Sequence, residues 1–134
     1  MSLNFSGVWR ADLQESKFLG PSPTSIVISI DHLDRRLVET VTVTKPDGSE
    51  ERVTFECLIN GERTINLLNG IEIPGRSRWE GEELVIESWM KFGEREDYFC
   101  DCWSLCPDGR VLTMEHRNDA LAGQVTVLER TASE

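Results

Sequence analysis

The chain has 134 residues, which suits one domain with its own core and suits two poorly. Its composition is that of a soluble globular protein, 39% hydrophobic and 28% charged, and no apolar run nears the roughly 20 residues of a membrane-spanning helix. A net charge of −10 argues against nucleic acid and anionic membranes as partners, since both attract the opposite sign.

Met1-Ser2-Leu3-Asn4 has neither a basic stretch nor an apolar one, so no signal peptide is read there and a cytoplasmic location is expected. Residues 1–3 could also be the remnant of a replaced leader, which leaves export open. A first strand is expected over 5–10. Residues 11–18 (Ala-Asp-Leu-Gln-Glu-Ser-Lys-Phe) suffice for one short helical turn, and Gly20-Pro21-Ser22-Pro23 breaks the chain after it. From there the pattern is short alternating runs punctuated by turns. Ser25–Ile30 and Val38–Thr44 alternate with period two. Asp47-Gly48, Asn60-Gly61, Gly93-Glu94 and Asp108-Gly109 then mark hairpins, because tight hairpin turns need residues at positive φ. Further strands are expected over 25–32, 36–45, 50–59, 63–68, 75–80, 83–91, 96–106, 110–117 and 123–131. The reading is all-β: a single antiparallel up-and-down β-barrel of about 8–10 strands spanning 1–134. A sandwich is its main competitor, but no connection after residue 25 is long enough for a Greek-key crossover.

Cys57, Cys100, Cys102 and Cys106 lack the paired spacing of structural zinc sites, and Cys100 and Cys102 share one face of a strand. They read as reduced thiols packed like small apolar residues, with zinc and a disulfide as the alternatives.

Turn geometry sets register, and register sets which side chains point inward. A two-residue tip at Asp108-Gly109 pairs Leu105 with Leu112, Trp103 with Met114, Asp101 with His116 and Phe99 with Asn118. A tip at Gly93-Glu94 sets Met90, Ser88, Ile86 and Leu84 beside Asp97, Phe99, Asp101 and Trp103, so the two hairpins agree on one aromatic inner face. The same treatment of Asp47-Gly48 pairs Thr42 with Val53, Thr40 with Phe55 and Val38 with Cys57, leaving Glu39 and Glu56 in water. The expected interior comprises Ile26, Ile28, Ile30, Thr40, Phe55, Asn66, Ser77, Trp79, Ile86, Ser88, Phe99, Trp103, Leu112 and Met114. A few polar groups on an apolar wall describe a ligand cavity, with a solid core as the alternative. Asp101 facing His116 is the sharpest feature, since a carboxylate beside an imidazole fixes its tautomer and raises its pKa. Such a pair serves structure, ligand contact or proton transfer. Outside, Trp89 opposite Tyr98 forms an exposed aromatic pair that either stabilises the sheet or meets a partner, a second copy included.

Phe5-Ser6-Gly7-Val8-Trp9 resembles the G-x-W motif on the first strand of lipocalins, and Arg130 stands where that superfamily stacks an arginine over the tryptophan. Together with the meander covering the whole chain, the sequence is similar to calycin-superfamily proteins, in particular bacterial lipocalin-like domains. The resemblance implies a lipocalin or fatty-acid-binding-protein-like barrel closed at its floor by Trp9 and Arg130, through a cation–π contact. Residues 11–24 are too short for the helical lid of fatty-acid-binding proteins. Leu128-Glu129-Arg130-Thr131 also lacks their Arg-x-Tyr carboxylate clamp, so a fatty-acid ligand is not implied.

The leading expectation is a carrier or sensor that binds a small, partly apolar molecule. Phe55, Trp79, Ile86, Ser88, Phe99, Asp101, Trp103, Met114 and His116 are its expected contacts. One alternative is an isomerase- or cyclase-type barrel enzyme using Asp101 and His116, and another is an interaction module using Trp89 and Tyr98. Enzyme motifs are scarce, and His32 with His116 cannot supply a multi-histidine zinc site. No metal or cofactor is expected, since haem would have only the single imidazole of His116 to recommend it.

Overall fold

Period-two alternation of apolar and polar residues becomes ten antiparallel strands in a computed structural model that describes residues 4–18, 22–68, 70–118 and 124–131. They are β1 (Gly7–Ala11), β2 (Ser25–Leu33), β3 (Arg36–Thr44), β4 (Glu50–Leu58) and β5 (Thr64–Leu68). β6 (Ile71–Glu80), β7 (Glu83–Phe92), β8 (Arg95–Leu105), β9 (Val111–Asn118) and β10 (Gln124–Arg130) follow. The sheet order is β4-β3-β2-β1-β10-β9-β8-β7-β6-β5, so the first and last strands pair and the sheet curls into a nearly closed up-and-down barrel. Among the described residues there is no helix. The turn expected within 11–18 is a single one, in which Ser16 N–H donates to the Asp12 carbonyl at 3.1 Å. The break expected at 20–23 lies partly outside the described residues.

β4 and β5 end the order and share no backbone ladder. Asn66 on β5 spans the gap. Its side-chain amide accepts from Glu56 N–H and donates to the Glu56 carbonyl, both at 2.9 Å, much as a neighbouring backbone would. The sixth strand begins at Ile71 rather than at 75, because Pro74 does not end it. Pro74 pairs with Ile65 of β5, and the ladder to β7 starts only at Gly75.

The floor of the barrel is its densest part. Phe5 is fully buried, stacks on Trp79 at 5.8 Å between centroids and meets Trp103 edge-on at 5.5 Å. Trp9, also fully buried, donates its indole N–H to the Phe5 carbonyl at 2.9 Å. Trp9 and Arg130 are register partners on β1 and β10, and the guanidinium lies 4.3 Å from the indole ring centroid. Arg130 Nη1 also donates to the Ser6 carbonyl at 2.6 Å. Gly7 makes room for it: a Cβ there would stand 2.6 Å from Nη1, and the residue sits at φ +141°. The glycine of the G-x-W motif is therefore the seat of the arginine.

The registers expected around Gly93-Glu94 and Asp108-Gly109 are those observed, from Leu84↔Trp103 to Met90↔Asp97 and from Leu105↔Leu112 to Phe99↔Asn118. The register around Asp47-Gly48 is not. Gly48 N–H donates to the Lys45 carbonyl at 2.9 Å and Lys45 N–H to the Ser49 carbonyl at 2.8 Å, closing a three-residue loop with Gly48 at φ +87°. That one extra residue moves every pair by one. Thr42 faces Arg52, Thr40 faces Thr54, Val38 faces Glu56, and Leu37 rather than Val38 faces Cys57. Thr40 is thereby on the outer face, with its hydroxyl 3.2 Å from that of Thr54, and not in the interior. Glu39 moves the other way: it faces Phe55 and points into the barrel.

Candidate functional site

Above the floor the barrel encloses a cavity of about 510 Å³. Its wall draws on strands β2 to β10, from Ile28 and Trp103 near the floor to Met90, Phe99 and Gln124. The alternation of these strands brings Ile86 and Ser88 from β7, Asp101 and Phe99 from β8, and Met114 and His116 from β9 onto one surface, with Phe55 of β4 joining them. Eight of the nine expected contact residues thus border the same space. Trp79 does not, because its indole is taken up by the stack on Phe5. The four cysteines are all free thiols, and Cys57 is buried in the wall with its thiol pushed up to about 11 by burial.

Asp101 and His116 are register partners, and Asp101 Oδ1 accepts from His116 Nδ1–H at 2.5 Å. The imidazole also stacks on Phe99, 5.5 Å between centroids at 18°. The hydrogen bond to the carboxylate raises the His116 pKa against the opposing effect of burial. The arrangement can hold a proton at Nδ1 and leaves Nε2 for a ligand or a water.

Glu39 is the residue that sequence reasoning missed. It lines the cavity and, among the described residues, its carboxyl has no hydrogen-bond partner. Burial, reinforced by the charge of Asp101, pushes its pKa up to about 8. A signal for it existed. The inner set of β3 is Leu37, Glu39, Val41 and Val43 and the outer set Val38, Thr40, Thr42 and Thr44, so the more apolar face contained the glutamate. Ser77 stands in the same wall, 1% exposed, and its Oγ has no hydrogen-bond partner among nitrogen and oxygen atoms. It lies beside the Cys57 thiol.

His32, the second histidine, belongs to the floor. Its Nδ1 accepts from Phe5 N–H at 3.2 Å and its Nε2–H donates to the Asp34 carbonyl at 3.0 Å, which specifies the neutral ring. Burial lowers its pKa. The two imidazoles should therefore titrate on opposite sides of 6.5, His32 below and His116 above. The stability lent by His32 is present above pH 6.5 and lost as pH falls, whereas that lent by His116 is present below 6.5 and lost as pH rises through its raised value. Ring C–H shifts followed by NMR check this, and two curves that coincide would refute it.

On the outer face, Trp89 and Tyr98 do contact each other, 5.7 Å between centroids. They are half-buried rather than exposed. The guanidiniums of Arg63 and Arg76 lie 4.9 and 5.6 Å from the Trp89 ring centroid, and Tyr98 donates its hydroxyl to Glu87 at 2.6 Å. Glu87 also binds Arg76 and Arg78, each at 2.9 Å, and the Tyr98 hydroxyl foremost, together with these arginines, holds its carboxyl below the usual range.

Neither protein-family models nor curated protein sequences match the chain. Solved structures do. The REP1-NXSQ fatty acid transporter superposes with a TM-score of 0.66 at 11% identity, covering 96% of this chain and 97% of its own. Secretory abundant heat soluble protein 4 from Ramazzottius varieornatus gives 0.69 at 10% identity, covering 95% and 94%. Lipid binding protein 8 of Caenorhabditis elegans, in its apo form, gives 0.66 at 11% identity, covering 95% of both chains. At such low identity the likeness speaks for the fold alone: the chain is built as an antiparallel up-and-down β-barrel like those structures.

Proposed function

We propose that the protein binds a small, partly apolar molecule inside its barrel, as a carrier or a sensor. The observation that carries this is the 510 Å³ cavity, walled by Phe55, Phe99, Trp103, Ile86, Met90 and Met114 and carrying a few inward polar groups. That is the usual make-up of a small-molecule site: apolar area for affinity and sparse polar groups for orientation. A transporter of fatty acids and a lipid-binding protein among the structural neighbours support the same reading. Trp103 gives the test a reporter, being buried against the cavity. Titration with apolar probes should quench or shift its emission and raise the melting temperature. A Trp103 signal unmoved by every probe would overturn the reading.

A second reading rests on the Asp101–His116 hydrogen bond, whose 2.5 Å length suits proton transfer within a cavity. It requires turnover of a bound substrate that disappears in His116→Ala while the variant stays folded. Turnover unchanged in that variant would remove the pair from any chemistry.

A further inference from the structure

The charges around the cavity are unbalanced in one place. Arg76, the only arginine in its wall among the described residues, is held by Glu87 at 2.9 Å, and Glu56 is held by Arg36 at 2.5 Å. Asp101 and His116 are bound to each other. The Cys57 thiol is neutral at ordinary pH. Glu39 remains, an inward carboxyl on β3 with Asp101 near enough to oppose its ionisation and no cation near enough to offset it. Ser77, fully buried on β6 in the same wall, has a hydroxyl oxygen without a nitrogen or oxygen partner. The Glu39 carboxyl is half-buried and borders the cavity unpaired, so its surroundings disfavour its charged form until a cation enters to pair with it. Phe55, Phe99 and Trp103 add aromatic faces that attract a cation as readily as an apolar group.

We propose that the cavity selects an apolar molecule bearing one protonated amine, whose ammonium group pairs with the Glu39 carboxylate. The proposal rests on the ligand-binding reading above and assigns that ligand its chemistry. A free carboxylate finds no unpaired cation in the wall, whereas an ammonium finds an unpaired carboxyl that can ionise to meet it. Binding such a ligand ionises Glu39, and the pair then replaces a carboxyl kept neutral by its surroundings.

The test compares decylamine, decanol and decanoate, which share a chain and differ in the head group, by calorimetry and Trp103 fluorescence near pH 7. The amine should bind tighter than the alcohol by roughly ten- to a hundredfold, the worth of a charge-assisted hydrogen bond, and the carboxylate weaker than both. In Glu39→Gln the amine should fall to the level of the alcohol. Glu94→Gln, which removes an exposed charge at the β7–β8 turn, should leave the order intact. A preference that survives Glu39→Gln, or falls equally in Glu94→Gln, belongs to the overall charge of −10 and overturns the proposal. Equal binding of all three probes, or tighter binding of decanoate, overturns it while leaving the ligand-binding reading in place. No binding of any probe overturns both. Should Glu39→Gln fail to fold, salt decides with the native protein: a preference kept in about 0.5 M NaCl supports a buried pair, and one that vanishes refutes it.

Discussion

Replacing Glu39 by glutamine is expected to stabilise the ligand-free protein, by an amount that grows as pH rises from about 4.5 to about 8. The sign follows from where the proton sits. Glu39 ionises at about 8 in the folded chain and at 4.5 when unfolded, so between these values the folded state holds a proton that the unfolded state has released. Stability contributed by this group is complete below pH 4.5 and is lost progressively as pH rises to about 8. Glutamine cannot ionise and loses nothing. The difference between variant and native protein should be close to zero near pH 4.5 and reach on the order of 2–4 kcal/mol by pH 8.5, after allowing for solvation by cavity water. The remaining groups near Glu39 do not spoil the comparison, because Asp101, His116 and Cys57 are present in both proteins. Urea melts of the two across pH measure it. Equal differences at pH 5 and pH 8.5 would show that Glu39 does not titrate late. The cost it imposes on the empty barrel is the kind of local sacrifice of stability that binding sites show.

Phe5→Ala is expected to be the most damaging single truncation. Phe5 is fully buried at the centre of Trp79, Trp103 and His32, and loss of its ring leaves a void that these rigid neighbours cannot collapse to fill. The cost should be about 3–5 kcal/mol, which for a domain of this size lowers the melting temperature by on the order of 10–20 °C. The backbone bonds of Phe5 to His32 and Trp9 persist in alanine, so the loss reports packing rather than hydrogen bonding. Phe99→Ala offers the contrast. That ring already borders the cavity, so removing it enlarges an existing space and should cost only about 1–2 kcal/mol while weakening ligand binding. A Phe99→Ala variant as unstable as Phe5→Ala would mean that the cavity is closed in solution.

Much of this architecture was legible along the chain. Alternation and turn dipeptides are local signals, and they located the strands, the aromatic inner face of β7, β8 and β9, and the pairing of Asp101 with His116. The tie between Trp9 and Arg130 was legible from resemblance, although the reason for Gly7 is visible only where the guanidinium occupies the space of its missing side chain. The half-burial of Trp89 was not legible, since the arginines that cover it come from residues 63 and 76.

What the sequence by itself determined is therefore the barrel and most of its inner wall. What the tertiary structure decided, against the register read from the turn, is which way β3 faces, and with it Glu39. The same tripeptide, Pro-Asp-Gly, turns both hairpins, and each begins with the same bond, Gly48 N–H to Lys45 and Gly109 N–H to Cys106, both 2.9 Å. At the first the loop closes at once, Lys45 to Ser49. At the second it takes one residue more: the Arg110 carbonyl accepts from Arg130 of β10, the Cys106 thiol accepts from Val111 N–H, and the ladder resumes at Val111. β9 has β10 beside it to hold Arg110, whereas β4 lies at the edge of the sheet with no strand to do the same for Ser49. One residue is half of the period of a strand, so the length of the loop settles which side chains meet the cavity.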